Sequence, residues 1–334
     1  MAVTVEKVLD ETSWDEFITR FPSAGPFHSR AWIRCFKSDH LVPVYLRFVS
    51  NGIPVGGVAG LIVEPRMAIL KPIDRRLFFF SGPALASMDR ISIGECMQVL
   101  NRYAVDQQFT SLISLGRDYP YAYDWGNSRV HLQFMHELII DLSSSQEQVV
   151  IRMRKSIREQ ARKAERSGLT FHPQQDASTL PQLLNLIANT QLRRMNKSGV
   201  SFSPYYIHYL DEKSLRRLSE SSIARFFVAR RGTEVLCSLL VFTFAKRAYA
   251  LLIGCSNEGY QLRAPAFVWF NVIRLLKGAG IESLNLAGGN AFAKVSLGAE
   301  HRTCTGSVSP YLKGPVLNLL FQTSRWADKF IAPA

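Results

Sequence analysis

The chain has no Cys-x-x-Cys pair, no His-Glu-x-x-His string and no Gly-x-Ser-x-Gly turn. Those absences argue against a zinc site, a metalloprotease and a serine-nucleophile hydrolase. The five cysteines (Cys35, Cys96, Cys237, Cys255 and Cys304) are odd in number and far apart, which argues against a disulfide framework and for a reducing compartment. The longest apolar run, Val235 to Ala245, already contains Ser238 and Thr243 and falls well short of the roughly 18 residues of a membrane span. The N-terminus, MAVTVEKVLDETSWDEF, carries acidic residues where a signal peptide needs a basic end and an apolar core. A cytoplasmic location is therefore expected. The seven histidines are scattered, and His28 reads as structural.

What is present is an ordinary globular composition: 334 residues, 47% hydrophobic and 20% charged, with 21 Gly and 15 Pro. At roughly 100–200 residues per domain this length predicts two domains. Forty Lys and Arg against 27 Asp and Glu leave a net charge of +13. That balance favours a polyanionic partner such as tRNA, a nucleotide-linked substrate or an anionic membrane face.

One plan of elements occurs twice. Arg47–Glu64, RFVSNGIPVGGVAGLIVE, and Phe227–Phe244, FVARRGTEVLCSLLVFTF, each read as a hairpin turning at glycine, Gly52 or Gly232. Each is followed by a short buried-strand run, Leu77–Gly82 or Tyr249–Cys255, and then by a helical pattern, Ile93–Gln108 or Pro265–Gly278. Each helix leads straight into a strand beginning Ser-Leu, at Ser111 or Ser283. Hairpin, strand, helix and parallel strand is the element order of the core of the GNAT acyltransferase fold, although order alone does not establish function.

Between the repeats lies a basic segment, EQVVIRMRKSIREQARKAERSGL. Ser144 with Glu147 predicts a capping box, and Gly168 a C-terminal stop. One long helix would put Arg154, Arg158, Arg162 and Arg166 on one side. Two readings stand: a solvated face partly neutralised by Glu159 and Glu165, or a rail of guanidinium groups for phosphates.

The string MHELIIDLSSSQEQVVIRMRKSIREQARKAERSGL resembles the connector of the FemABX-like aminoacyltransferases and of the related BioF2-like, type 6 acetyltransferases. The hairpin RFFVARRGTEVLCSLLVF, the stretch AYALLIGCSNEGYQLRAPAFVWFNVIRLLKGAGIESLNLAGGN and the turn AKVSLGA are similar to that family's later motifs. Phe27 to Trp32 resembles its opening segment. There are departures. The family's Asp-Leu-Gly-Gly strand is here Asn285-Leu286-Ala287-Gly288-Gly289, without its acid, and the Phe of its Phe-Lys turn is Ala293, with Lys294 retained. The segment from Ser167 to Ile223 has no long heptad-patterned insertion, as in compact members that lack a coiled-coil arm.

The resemblance implies a functional lysine at Lys294. Physically, the neighbouring Gly288 and Gly289 leave room for a substrate to come close. Tyr249, on the expected central strand, could bind substrate or donate a proton. Tyr260 and Arg263 stand where a donor phosphate loop is expected, ahead of a helix opening at Pro265. The Gly-x-Gly of an ordinary coenzyme A loop is missing there, which favours an aminoacyl-tRNA donor over an acyl-CoA donor. Arg193, Arg194 and Tyr206 lie in a segment that resembles the acceptor side and could grip a phosphate-bearing acceptor; a helix end and loop is the equal alternative. Arg158 belongs to the basic rail.

The expectations, then, are an α/β (α+β) chain of two tandem GNAT-like domains with mixed central sheets, at residues 1–142 and 171–334, joined by a long basic helix over 143–170. The C-terminal domain carries the active cleft. After Gly116 the N-terminal repeat has Arg117-Asp118-Tyr119-Pro120 in place of a lysine, and is expected to shape the acceptor site. The expected reaction moves an acyl or aminoacyl group to an amine of a cell-envelope or polysaccharide precursor, with no metal and no tightly bound cofactor. An acyl-CoA N-acyltransferase and a catalytically silent binding module are the rivals. The amphipathic tail, Val316 to Phe330, is expected to pack on the core, with contact to an anionic membrane surface as the alternative.

Overall fold

The structure is a computed structural model. It describes residues 3–67, 69, 71–72, 74–119, 130–199, 203–289 and 291–311, and of residues 90, 91, 197 and 198 only the backbone. The tail from Val316 to Phe330 lies outside the described residues. Among the described residues the chain divides into two compact units, residues 3–135 with 303–311 and residues 136–302.

The first unit opens with β1 (Val3–Lys7), α1 (Trp14–Ile18) and α2 (Arg30–Cys35). The expected hairpin follows as β2 (Leu41–Ser50) and β3 (Ile53–Val63). Asn51 and Gly52 both take positive φ, the conformation that lets a two-residue turn follow strand twist. Then come β4 (Arg76–Phe79), β5 (Ala84–Leu85), α3 (Arg90–Asp106) and β6 (Ser111–Ser114), with β6 parallel to β4. His28 is structural. Its Nδ1 accepts from Gly25 N at 3.1 Å, so its Nε2 donates to Gly82 O at 2.7 Å, while Trp14 Nε1 donates to the His28 carbonyl.

The second unit repeats the plan. After β7 (His131–Asp141) come α4 (Gln146–Arg152), α5 (Lys155–Arg166), β8 (Thr170–Gln174), α6 (Thr179–Ser198) and α7 (Glu212–Ser219). The hairpin β9 (Ala224–Arg231) and β10 (Glu234–Phe244) turns at Gly232, as read from the sequence. It is followed by β11 (Arg247–Cys255), α8 (Asn257–Gln261), α9 (Ala264–Gly278), β12 (Ser283–Asn285) and α10 (Ala291–Val295). β12 is parallel to β11 and antiparallel to β7. The last strand, β13 (Glu300–Pro310), pairs antiparallel with β6, so it completes the first unit's sheet as β7 completes the second's. Strand order is β1-β2-β3-β4-β6-β13 in one unit and β8-β9-β10-β11-β12-β7 in the other. Both sheets are mixed.

The basic segment differs from expectation in two ways. It lies inside the second unit, and it is two helices. Met153 and Arg154 are extended, because Met153 is 1% exposed in the core and Arg154 N donates to Ser296 O at 2.9 Å. The cap of α4 is Ser145, whose hydroxyl accepts from Gln148 N, while Ser144 turns to Arg152. Gly168, at φ +85°, ends α5 as read.

Helices α4, α5 and α9 cover one face of the second sheet. Phe267, Val268, Val272, Ile273 and Leu276 of α9 are buried there against Leu138, Ile140, Ala248, Ala250, Leu284 and Leu286. Each such side chain contributes roughly 1.5–3 kcal/mol by leaving water. Alternation in the strands turns Glu137, Tyr249 and Asn285 to the opposite face. Helix α6 crosses that face so closely that a Cβ on Gly254 would sit 2.6 Å from Ile187 N. Among the described residues, no helix is long and apolar enough to cross a membrane.

Candidate active site

Strands β11 and β12 stay together for only three residue pairs, from Arg247 opposite Ser283 to Tyr249 opposite Asn285. Beyond that point β12 turns to β7, with Leu286 N donating to Leu138 O at 2.8 Å and Leu138 N to Ala287 O at 3.2 Å. β11 runs on to Cys255 with no strand on this edge among the described residues. It also bulges here: Leu240 pairs Leu252 and Val241 pairs Ala250, leaving Leu251 over. Tyr206 Oη donates to the Leu251 carbonyl at 3.2 Å. The result is an opening between two parallel strands, with backbone groups of β11 along one side.

Lys294 packs on the turn that directly follows β12. Its ammonium donates to the carbonyls of Leu286, Ala287 and Gly288, so all three of its N–H groups are engaged by the turn that follows β12. That wrapping needs positive φ at Ala287 (+59°) and at Gly289 (+96°). Burial lowers the Lys294 pKa to about 8; the Glu137 carboxylate opposes the shift and Arg194 adds to it. At pH 7 the group is a cation. The expectation of a lysine reaching directly for substrate is thus modified: a substrate oxygen must replace a backbone carbonyl, and that of Gly288, in the exposed glycine pair, stands nearest solvent.

Behind the lysine runs a row of polar side chains set into the sheet. Tyr249 and Asn285 are fully buried and Glu137 is 1% exposed. Asn285 Nδ2 donates to Glu137 Oε2 at 2.7 Å, and Asn285 Oδ1 accepts from Ala287 N at 2.7 Å. Buried polar groups are costly unless bonded, so this row is specified by its partners. The strand lacks the acid of the Asp-Leu-Gly-Gly pattern, and Glu137, which sequence patterning alone does not single out, brings a carboxylate to Asn285 from the neighbouring strand. A charged residue directly before the apolar run Leu138–Ile140 was the available signal.

The other expected residues gather in part. Arg193 lays its guanidinium over the Tyr260 ring, 3.1 Å from the centroid. Burial raises the Tyr260 pKa, and Arg193 and a hydrogen bond with Thr190 work against that rise. Thr190 also accepts from Cys255 N at 3.1 Å, tying α6 to the end of β11. Tyr260 and Gln261 are helical, so the expected phosphate loop is filled by α8. Arg263 is exposed, the left-handed N-cap residue (φ +64°) of α9. Arg194 is exposed on α6 and close enough to act on the Lys294 charge. Arg158, on α5, belongs to the opposite side of the sheet from the polar row. Phe292, 71% exposed beside Lys294, packs under Arg154 at 4.8 Å. Among the described residues no group of three or more His, Cys, Asp or Glu could hold a metal ion.

Comparison with known proteins bears on this arrangement. The sequence model described as an acetyltransferase (GNAT) domain matches residues 152–295, the stretch from the end of α4 through Lys294. The structure of FemX superposes with a TM-score of 0.70 at 12% identity, covering 94% of this chain and 99% of FemX. That of L-PGS from Bacillus licheniformis gives 0.55 at 13% identity, with 96% of each chain covered. A conserved protein of unknown function from Bacteroides thetaiotaomicron gives 0.57 at 8% identity, covering 92% of this chain and all of that one. A search of the curated protein sequences gives no match. A GNAT-domain match over the core of the second unit, and a superposition on FemX along nearly the whole chain, give this protein a FemX-like fold with a GNAT domain in its second unit.

Proposed function

We propose that the protein is an acyltransferase that moves an aminoacyl group from a charged tRNA to an amine on a cell-envelope precursor in the cytoplasm. The observation that carries this reading is the parting of β11 and β12 after Tyr249 and Asn285, with the Lys294 turn directly following β12. Acyl transfer to an amine needs the donor carbonyl held in line with the amine and stabilisation of the oxyanion formed on attack. Backbone N–H groups of β11 beside the Leu251 bulge can serve the oxyanion. Lys294, still a cation at pH 7, stabilises developing charge on the donor ester. Tyr249 positions the substrate from below, and Arg263 with the Arg193–Tyr260 stack receives donor phosphate. Arg194 and Tyr206 face the acceptor, and Arg158 offers charge to a more distant phosphate. Both units are read as GNAT-like domains in tandem, the repeated strand plan supporting this.

A tRNA donor is favoured over a coenzyme A thioester because helix α8 fills the place where a glycine loop would cradle pyrophosphate. The net charge of +13 agrees. The test is transfer of a radiolabelled amino acid from a mixed pool of charged tRNA to lipid-linked or nucleotide-linked amine precursors. Transfer that weakens steeply with salt supports the proposal. Turnover of acyl-CoA thioesters in its place would establish the rival donor, and tRNA binding without transfer would mark a silent module.

A further inference from the structure

We infer that Glu137 is the positioning residue of the Lys294 turn: through Asn285 it fixes the backbone that holds the ammonium, and its carboxylate supplies the counter-charge from within the sheet. The inference rests on the reading of Lys294 given above.

The geometry forms a continuous path. Glu137 Oε2 accepts from Asn285 Nδ2, Asn285 Oδ1 accepts from Ala287 N, and the carbonyls on either side of that amide hold Lys294 Nζ. A carboxylate that is 1% exposed is too costly to keep without a facing positive charge or several donors. The charged groups that act on Lys294 are Glu137 from β7 and Arg194 from α6, with opposite signs. The row is also particular to this unit. By strand register, Tyr249, Asn285 and Glu137 correspond to Phe78, Ile113 and Gly306 in the other sheet, where none carries a polar side chain. At the place of Glu137 the other sheet has Gly306, where a Cβ would meet backbone oxygens of Leu115 and Ser114 at 2.8 Å, so the same strand plan forms there without a carboxylate.

Asn285 stands where the Asp-Leu-Gly-Gly pattern has its acid, and an amide is the group that can do both jobs: it donates to the carboxylate and accepts from the turn. An aspartate at 285 would face Glu137 as a second negative charge.

The test is titration of the Lys294 ammonium in the full chain by 15N NMR, with Lys294→Met identifying the signal. Wild type titrates near pH 8. Glu137→Gln keeps an oxygen for Asn285 but removes the charge, so Lys294 loses its proton at least half a pH unit lower; Glu137→Asp restores most of the difference. Arg194→Gln moves the titration the other way. Asn285→Ala, which leaves the carboxylate in place, frees the turn and lets Lys294 return toward its ordinary 10.5. It carries the test if the Glu137 variants do not fold. An unmoved titration in Glu137→Gln, or in Asn285→Ala where only that variant folds, overturns the inference. None of these readouts needs turnover. A loss of transfer activity that does not follow the Lys294 titration would therefore count against the transferase reading and leave the role of Glu137 standing.

Discussion

The two units use the same six-strand plan and differ at the same place in it. In the first, β4 and β6 stay joined past their last ladder pair, with Leu115 N donating to Phe79 O and Arg117 N to Phe80 O, both at 2.9 Å. Phe80 continues into a buried aromatic cluster with Phe27, Trp32 and Phe36. In the second, the equivalent strands part after Tyr249 and Asn285, and the space beside them is bordered by a lysine in a glycine turn. Backbone hydrogen bonds carry one pair of strands onward; in the other the pair parts beside a buried row of Glu137, Tyr249 and Asn285. On the proposed function, the repeated plan carries its chemistry in one copy and packing in the other.

The largest effect separating the two should come from their glycines. Gly116, at φ +63°, would place a Cβ 2.1 Å from Thr305 O, whereas a Cβ on Gly288 would find its nearest neighbour, His136 O, at 3.3 Å. Urea unfolding should show Gly116→Ala losing about 3 kcal/mol or more and Gly288→Ala under about 1 kcal/mol. Equal losses would erase the contrast. Next, Asn285→Ile writes the first unit's residue into the second. It leaves Glu137 and the Ala287 amide each short of a bond, for a loss of about 3 kcal/mol, and transfer activity should fall at least tenfold.

The hairpins at Asn51-Gly52 and Gly232, the α9 helix and the Ser111 and Ser283 strands follow from local chemistry: turn glycines, apolar period and short apolar runs. The exchange of β7 and β13 is not local. Both are ordinary strands in sequence, and which sheet each completes depends on partners more than 140 residues away. The break at Met153 escaped for a similar reason, since helix propensity favours continuing and only burial of that methionine makes the chain turn. The sequence singles out Lys294 through its turn. It does not single out Glu137, because its meaning comes from Asn285 across the ladder.

Smaller effects sharpen the comparison further. Tyr249→Phe, which converts that position to its counterpart Phe78, should reduce stability by about 1 kcal/mol and slow transfer several-fold without changing donor affinity, as single-turnover kinetics would show. Arg263→Gly should act in opposite directions on two readouts. Relieving a left-handed arginine should raise stability by up to about 1 kcal/mol, while the donor KM rises. Improved stability with unchanged KM would remove Arg263 from the donor site.

The central claim is that the second unit's lysine turn, and not merely the shared fold, performs the transfer. Single-turnover transfer at pH 7 with saturating donor and acceptor tests it in Lys294→Met, compared with wild type at equal folded concentration. The account predicts a rate at least tenfold lower, about 1.4 kcal/mol of barrier, with far-UV dichroism unchanged. A variant that transfers at the wild-type rate would contradict it.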